Sequence, residues 1–218
     1  MKTLYHFIKT NTAKHTAVLL MVLLAFMTME GVNAQDVSKY HFGVRGGVGM
    51  STLTGFENSG LKLGFTGGVY FDYDIKTNNI LTAELYYSSG GQQSEKWYEN
   101  NDEKIKIYNK YSLYYLNLPL IYQYYFTDIL GIETGINFRY CMGGGLKTKI
   151  GNDSWSKSPL DYNKFDVGMI LGVYTDNLIP SDNFFVSLRA YFGFLDVVKY
   201  VGSNKNVSVQ VGVGYMLF

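Results

Sequence analysis

Val207-Ser-Val-Gln-Val-Gly-Val-Gly-Tyr-Met-Leu-Phe218 is the stretch that decides the fold. Val207, Val209, Val211, Val213, Tyr215 and Leu217 fall on one face, and Ser208, Gln210, Gly212 and Gly214 on the other. A period of two belongs to a strand, because successive side chains there point to opposite sides of the sheet. The face opposite the valines is small and polar rather than charged. A soluble sandwich or carrier barrel inverts this arrangement, with apolar residues inside and a charged exterior. A continuous uncharged apolar face exposed to water would be a large aggregating patch, so this face is predicted to meet lipid.

Seven further segments upstream share the period: 40–50, 62–73, 80–89, 112–126, 129–142, 165–174 and 184–194. The outward sets include Val44 and Val48, Phe65 and Val69, Leu81 and Leu85, Leu118 and Leu120, Ile132 and Ile136, Met169 and Leu171, and Leu188 and Phe192. Aromatic residues cluster near the ends of this face: Tyr73, Tyr124, Phe126 and Tyr215 at one level, Tyr87, Tyr140, Phe192 and Phe194 at the other. These are girdle positions. Connections alternate, long at 51–61, 90–111, 143–164 and 195–206, short at 74–79, 127–128 and 175–183. Long extracellular loops over short periplasmic turns complete the expectation: an all-β, eight-stranded antiparallel transmembrane up-and-down β-barrel with both termini on the periplasmic side.

Composition agrees. Hydrophobic residues make up 47% of the 218, charged residues 17% and aromatics 17%, with 24 Gly and only 3 Pro. A net charge of +1 argues against a nucleic-acid partner, which requires a basic footprint. A single cysteine, Cys141, excludes an intramolecular disulfide framework and a cysteine-rich zinc site.

The N-terminus reads as an export signal. Lys2, Lys9 and Lys14 precede an uncharged run of 13 residues, 17–29, and Val32-Asn33-Ala34 offers small residues for cleavage. The run is short of the roughly 20 residues that span a bilayer. Residues 1–34 are therefore expected to be a signal peptide and 35–218 the barrel, delivered to the outer membrane. Losing the signal moves the net charge from +1 to −1.

Four stretches resemble the PorT-like outer-membrane β-barrel family. They are Gly43-Val-Arg-Gly-Gly-Val-Gly-Met-Ser51, Ala83-Glu-Leu-Tyr-Tyr-Ser88 with Gly90, Tyr115-Leu-Asn-Leu-Pro119, and Phe165-Asp-Val-Gly168. Asn117 stands where that family usually carries an acid, which removes one luminal charge. The resemblance implies an outer-membrane barrel, a class in which most members have no assigned activity. PorT itself serves a secretion machine, and the family likeness does not transfer that role. Gln210, Gly212, Tyr215 and Leu217 also resemble the C-terminal signal read by the barrel-assembly machinery, with Phe218 one residue beyond its usual end.

The candidate chemistry lies on the inward face. Arg45, Lys62, Arg139 and Arg189 balance Asp72, Glu84, Glu133 and Asp166. Eight strands leave an interior just wide enough for side chains to fill, and buried charges have to be paired. Arg45, Glu84, Glu133, Arg139, Asp166 and Arg189 are thus expected to form a structural network plugging the lumen, with Arg45 and Arg189 pairing Glu84 and Glu133. Glu84 with Glu133 as an acid/base pair is the sharper alternative, but it lacks a nucleophile, a metal set or a cleft. No catalytic, cofactor or metal residues are predicted. His41 is the only histidine past the signal and builds no metal site alone; Cys141, beside Gly143-Gly144-Gly145, reads as a small luminal filler. The glycines around Val48 lie in a strand with no helix after them, so close packing explains them better than phosphate binding. The loop 92–110 mixes charges with Trp97 and reads as solvated or as a surface epitope for an extracellular ligand.

The functional expectation is a non-enzymatic outer-membrane barrel with a structural or loop-mediated binding role. Its partners are outer-membrane lipid and, during biogenesis, the assembly machinery. A narrow porin-like small-solute channel and an accessory subunit of a secretion complex remain as alternatives.

Overall fold

The computed structural model describes residues 39–218 except 57, 101–102, 152, 177–182 and 200–201, and not the side chains of 98–100 and 103–104. The expected signal peptide and its cleavage after Ala34 lie outside the described residues.

Ten strands follow one another: β1 (Tyr40–Leu53), β2 (Ser59–Gly60), β3 (Lys62–Lys76), β4 (Asn79–Asn100), β5 (Glu103–Tyr125), β6 (Leu130–Ile150), β7 (Ser156–Ser158), β8 (Phe165–Asp176), β9 (Phe184–Asp196) and β10 (Lys205–Met216). Eight of them close a ring in the order β1-β3-β4-β5-β6-β8-β9-β10, each antiparallel to its neighbours. The closing seam joins the first strand to the last, from Gly43↔Met216 to Leu53↔Asn206. Phe218 extends it: the Phe42 amide donates to its carbonyl at 2.8 Å and the two rings lie 5.5 Å apart. Closure removes every unpaired edge, the condition for a sheet to cross hydrocarbon.

The period of two sets the faces as the sequence implies. Val48, Leu63, Phe65, Leu118, Ile136, Leu171, Val211 and their neighbours are exposed large apolar side chains, while Arg45, Thr82, Glu84, Asn117, Glu133 and Arg189 are buried. Along β5, ten steps from Tyr124 to Tyr114 cover roughly 25 Å at a rise of ~3.3 Å and a tilt of ~40°, the height of an apolar belt. Aromatic contacts mark both rims. Phe65, Tyr87 and Tyr114 contact in series at 5.7 and 6.4 Å, and Tyr140 meets Phe165 at 5.2 Å. At the other rim Tyr40 meets Tyr73 at 5.2 Å and Phe184 meets Tyr215 at 4.7 Å.

The long connections differ from expectation. Residues 92–110 are not a solvated loop: β4 and β5 stay paired without interruption from Tyr86↔Asn117 out to Asn100↔Glu103. β6 likewise runs on to Ile150, paired with Ile107, and carries β7 on its far side. The barrel wall thus continues past the belt as a free-standing sheet. Above the belt the outer face leaves the hydrocarbon, so the amphipathic alternation that reveals a strand fades, while the hydrogen-bonded ladder does not. At the turn end β3 and β8 also overrun their expected limits, to Lys76 and Asp176, and at the outer end β10 begins at Lys205.

Inward glycines have a packing role. A Cβ on Gly43 would lie 2.4 Å from the Tyr70 ring, and one on Gly131 2.4 Å from the Tyr174 ring; each glycine is the register partner of its tyrosine. Gly168 similarly faces Tyr191 and Gly214 faces Phe185. Small residues on one strand make room for rings from the next, which lets a narrow barrel be filled.

Candidate functional site

Arg189 is the hub of the lumen and is 1% exposed. Its Nη1 donates to Glu84 Oε1 at 2.9 Å and Oε2 at 2.8 Å. Its Nη2 donates to Glu133 Oε2 at 2.7 Å, and its Nε to Glu133 Oε1. Arg45 Nη1 donates to Glu84 Oε1 at 2.6 Å and its Nη2 to Ser187 Oγ at 3.1 Å. Gln123 adds a 3.3 Å bond to Glu133 Oε2. The four charges come from β1, β4, β6 and β9, every second strand of the ring, so the cluster spans the lumen from wall to wall. The planar guanidinium fork suits this: one arginine engages two carboxylates at once, which a lysine cannot do.

Outward from this layer lies a second one. Arg139 sits between two rings, 4.0 Å from the Tyr115 centroid and 4.3 Å from that of Tyr191. Its register partner Asp166 is only within 3.9 Å and instead accepts from Tyr191 Oη at 2.8 Å. Arg139 is thus held by a long ion pair to Asp166 and by cation–π contacts with two rings. Asn117 Nδ2 donates to Tyr86 O at 3.1 Å and Ser88 Oγ at 2.9 Å.

The outer mouth is closed by a third, apolar layer. Leu53, Leu113, Tyr115, Cys141, Val197 and Val198 form a buried cluster, with Phe56, Leu160 and Tyr162 packed against it. Cys141 belongs to this cap, its thiol donating to Gly143 O at 3.4 Å. The connection between β9 and β10 folds in to supply Val197 and Val198, held by Asn204, whose Oδ1 accepts from both amides at 3.0 and 2.6 Å. Sequence reading missed the cap, because its members lie on five separate segments and only their apolar character above the belt hints at it.

The remaining inward charges sit nearer the ends. Lys62 donates to Gly90 O at 2.6 Å; Asp72 accepts from Thr82 Oγ1 at 2.5 Å. At the turn end a vestibule of about 200 Å³ is lined by Tyr70, Asp72, Tyr125, Tyr174 and Asp176 and reaches up to Glu84. His41 lies at its rim, 3.2 Å from Asp74. Between the arginine layer and the cap remains a void of only about 30 Å³. Both carboxylates of the alternative acid/base pair, Glu84 and Glu133, are occupied by Arg189.

Residues 33–199 match the family described as the outer membrane protein beta-barrel domain. The chain belongs to that family. The protein accordingly resides in the outer membrane, with lipid against the face that carries Leu171 and Val211. No curated protein matches the sequence. Among solved structures it is similar to Ail, the attachment invasion locus protein of Yersinia pestis, at 11% identity and a TM-score of 0.45, covering 82% of this chain and 99% of that one. Neisserial surface protein A is 15% identical with a TM-score of 0.46, covering 80% of this chain and 96% of that one. The N-terminal β-barrel domain of Pseudomonas aeruginosa OprF is 12% identical with a TM-score of 0.33, covering 80% and 97% respectively.

Proposed function

We propose that this member of the family is a non-enzymatic, closed barrel that serves as a structural post in the outer membrane and presents its protruding sheet to an extracellular ligand. The arginine bridge carries this reading. Arg189 on β9 holds Glu84 of β4 and Glu133 of β6 at once, and the Leu53–Leu113–Val198 cap covers the mouth, so a solute would have to break both layers to pass. That disfavours the narrow-channel alternative. The sheet beyond the belt, with Trp97 62% exposed, is a rigid platform of the kind that displays binding residues.

Kinship with the PorT-like barrels within this family is also our proposal. It is supported by two of the four motifs, whose acids Glu84 and Asp166 both enter the luminal layers. Asn117, at the divergent position, supplies neutral hydrogen bonds to β4. Membership of a secretion complex is the second reading that this kinship allows. We further propose that residues 1–34 are removed on export and that the C-terminal stretch ending in Phe218 is read by the assembly machinery.

The test is affinity purification from crosslinked membranes, comparing the full chain with one lacking 96–107. That deletion keeps Ser94↔Asn109 as the last register pair, with Glu95 and Tyr108 forming a two-residue turn. An external ligand lost only with the hairpin tip supports the proposal. A secretion complex recovered in both samples overturns it in favour of the second reading.

A further inference from the structure

The face of the sheet that meets lipid does not end at the outer girdle. Beyond Tyr114 the same face of β5 carries Ser112, Lys110, Tyr108 and Lys106. A bulge at Tyr114/Tyr115 shifts β6 by one residue, so Gly143, Gly145, Lys147 and Lys149 stand opposite Tyr114, Ser112, Lys110 and Tyr108. On β4 the matching positions are Gln93, Glu95 and Trp97, opposite Lys110, Tyr108 and Lys106. Lys110 therefore faces Lys147 directly across the ladder, with Lys149 two residues further out.

Like charges directly opposed in a sheet are destabilising unless something neutralises them. Glu95, the described carboxylate on this face, is already engaged: it lies 2.6 Å from Lys106 Nζ, whose ammonium also stands over the rings of Tyr108 and Trp97. The Glu95 bond holds the Lys106 pKa above its ordinary value. Among the described residues no carboxylate comes within ion-pair distance of Lys110, Lys147 or Lys149. Trp97 and Trp155, both exposed, border with Tyr108 and Lys110 a groove of about 430 Å³.

The height of the patch says what fills it. Lys110 lies four residues beyond Tyr114, which places its Cα roughly 10 Å above the girdle at ~3.3 Å per residue and a tilt of ~40°. Lysine stems snorkel, and tryptophan and tyrosine settle at the headgroup level. The patch is continuous with the lipid-facing belt, and its innermost pair, Lys110 and Lys147, lies at the outer edge of the headgroup layer.

We propose that Lys110, Lys147 and Lys149, with Tyr108 and Trp155 beside them, form a docking site for a phosphorylated headgroup of the outer leaflet. The lysines neutralise the phosphates, and the rings cover the apolar and sugar surface beside them. The occupant is the membrane's own lipid, so the inference stands apart from the extracellular-ligand reading.

The test uses the full chain in phosphatidylcholine nanodiscs, titrated with bisphosphorylated lipid A or with the same lipid after phosphatase treatment, and read by native mass spectrometry. The expected result is saturable binding of the phosphorylated form, weakened about tenfold or more by dephosphorylation. The triple change Lys110→Gln, Lys147→Gln and Lys149→Gln should weaken it by a similar factor. These residues lie outside the belt, so heat-modifiable gel mobility should stay unchanged. If the triple variant fails to insert, the comparison of the two lipids on the unaltered protein decides alone. Equal retention of both lipids overturns the proposal. So does full competition by inorganic pyrophosphate at matched concentration, which would make the patch a general anion site.

Discussion

Arg189 and Glu84 stand on strands diametrically opposite in the eight-membered ring, 105 residues apart in sequence, and are joined by two hydrogen bonds from one nitrogen, at 2.9 and 2.8 Å. Arg45 and Glu133 occupy the other diameter. The cross-braced lumen is charge-balanced within this layer, so removing any one member leaves an unpaired charge in a buried site.

Glu84→Gln should therefore be costly. It leaves Arg45 and Arg189 with Glu133 alone, and breaking a buried pair from one side costs about 3–5 kcal/mol. Removing Arg45 as well, by Arg45→Met with Glu84→Leu, restores a one-to-one balance between Arg189 and Glu133. That double variant should lose less stability than Glu84→Gln alone. Urea unfolding in lipid vesicles measures both. A double variant weaker than the single one would show that the network is not governed by charge balance.

The outer face should reject charge as sharply as the lumen requires it. Leu171 and Val211 are 43% and 48% exposed and lie mid-belt. Leu171→Arg or Val211→Arg should each cost about 2–4 kcal/mol in a bilayer. The same unfolding assay checks this, and full tolerance of both changes would mean that this face does not meet lipid.

The contrast between belt and extension explains what the sequence disclosed. Where one face met lipid and the other the lumen, as along Leu116–Tyr124 against Asn117–Gln123, the alternation assigned inside and outside for each of the eight segments. Past Tyr114 and Met142 that selection is relaxed, so Glu95 through Lys110 read as a loop while forming an unbroken ladder. Arg139 shows a different limit. Its inward position followed from parity, but its stacking between Tyr115 and Tyr191 depends on strands β5 and β9, whose distance apart across the lumen no local pattern encodes.

Gly168→Ala should destabilise although it adds a single methyl. The new Cβ would lie 2.5 Å from the Tyr191 ring and 2.3 Å from the Phe192 carbonyl, so the ring and one backbone segment must both give way. Overpacking of this kind costs about 1–3 kcal/mol. Because Tyr191 also stacks on Arg139, the change should reach the second luminal layer. Gly202→Ala, with open space around its Cβ, is the control and should be near neutral. Thermal unfolding read by gel mobility ranks the two.

Asn204 is the residue through which the cap can be loosened without touching the wall. Beyond accepting from the Val197 and Val198 amides, it donates through Nδ2 to Val198 O at 2.8 Å and Gly202 O at 2.9 Å, and it is fully buried. Asn204→Ala leaves the Val198 amide and the Val198 and Gly202 carbonyls without this partner, at about 1–3 kcal/mol, while the Val197 amide keeps its 2.9 Å bond to the Asn204 backbone carbonyl. The amide of Val198 should then exchange hydrogen faster, while those of the β1–β10 seam keep their protection, since local opening need not involve the global transition. Conductance in planar bilayers should stay nil, because the Arg45–Glu84–Arg189–Glu133 layer below the cap is intact. Steady conductance in Asn204→Ala would show instead that the cap alone seals the barrel and that the charge layer passes solutes.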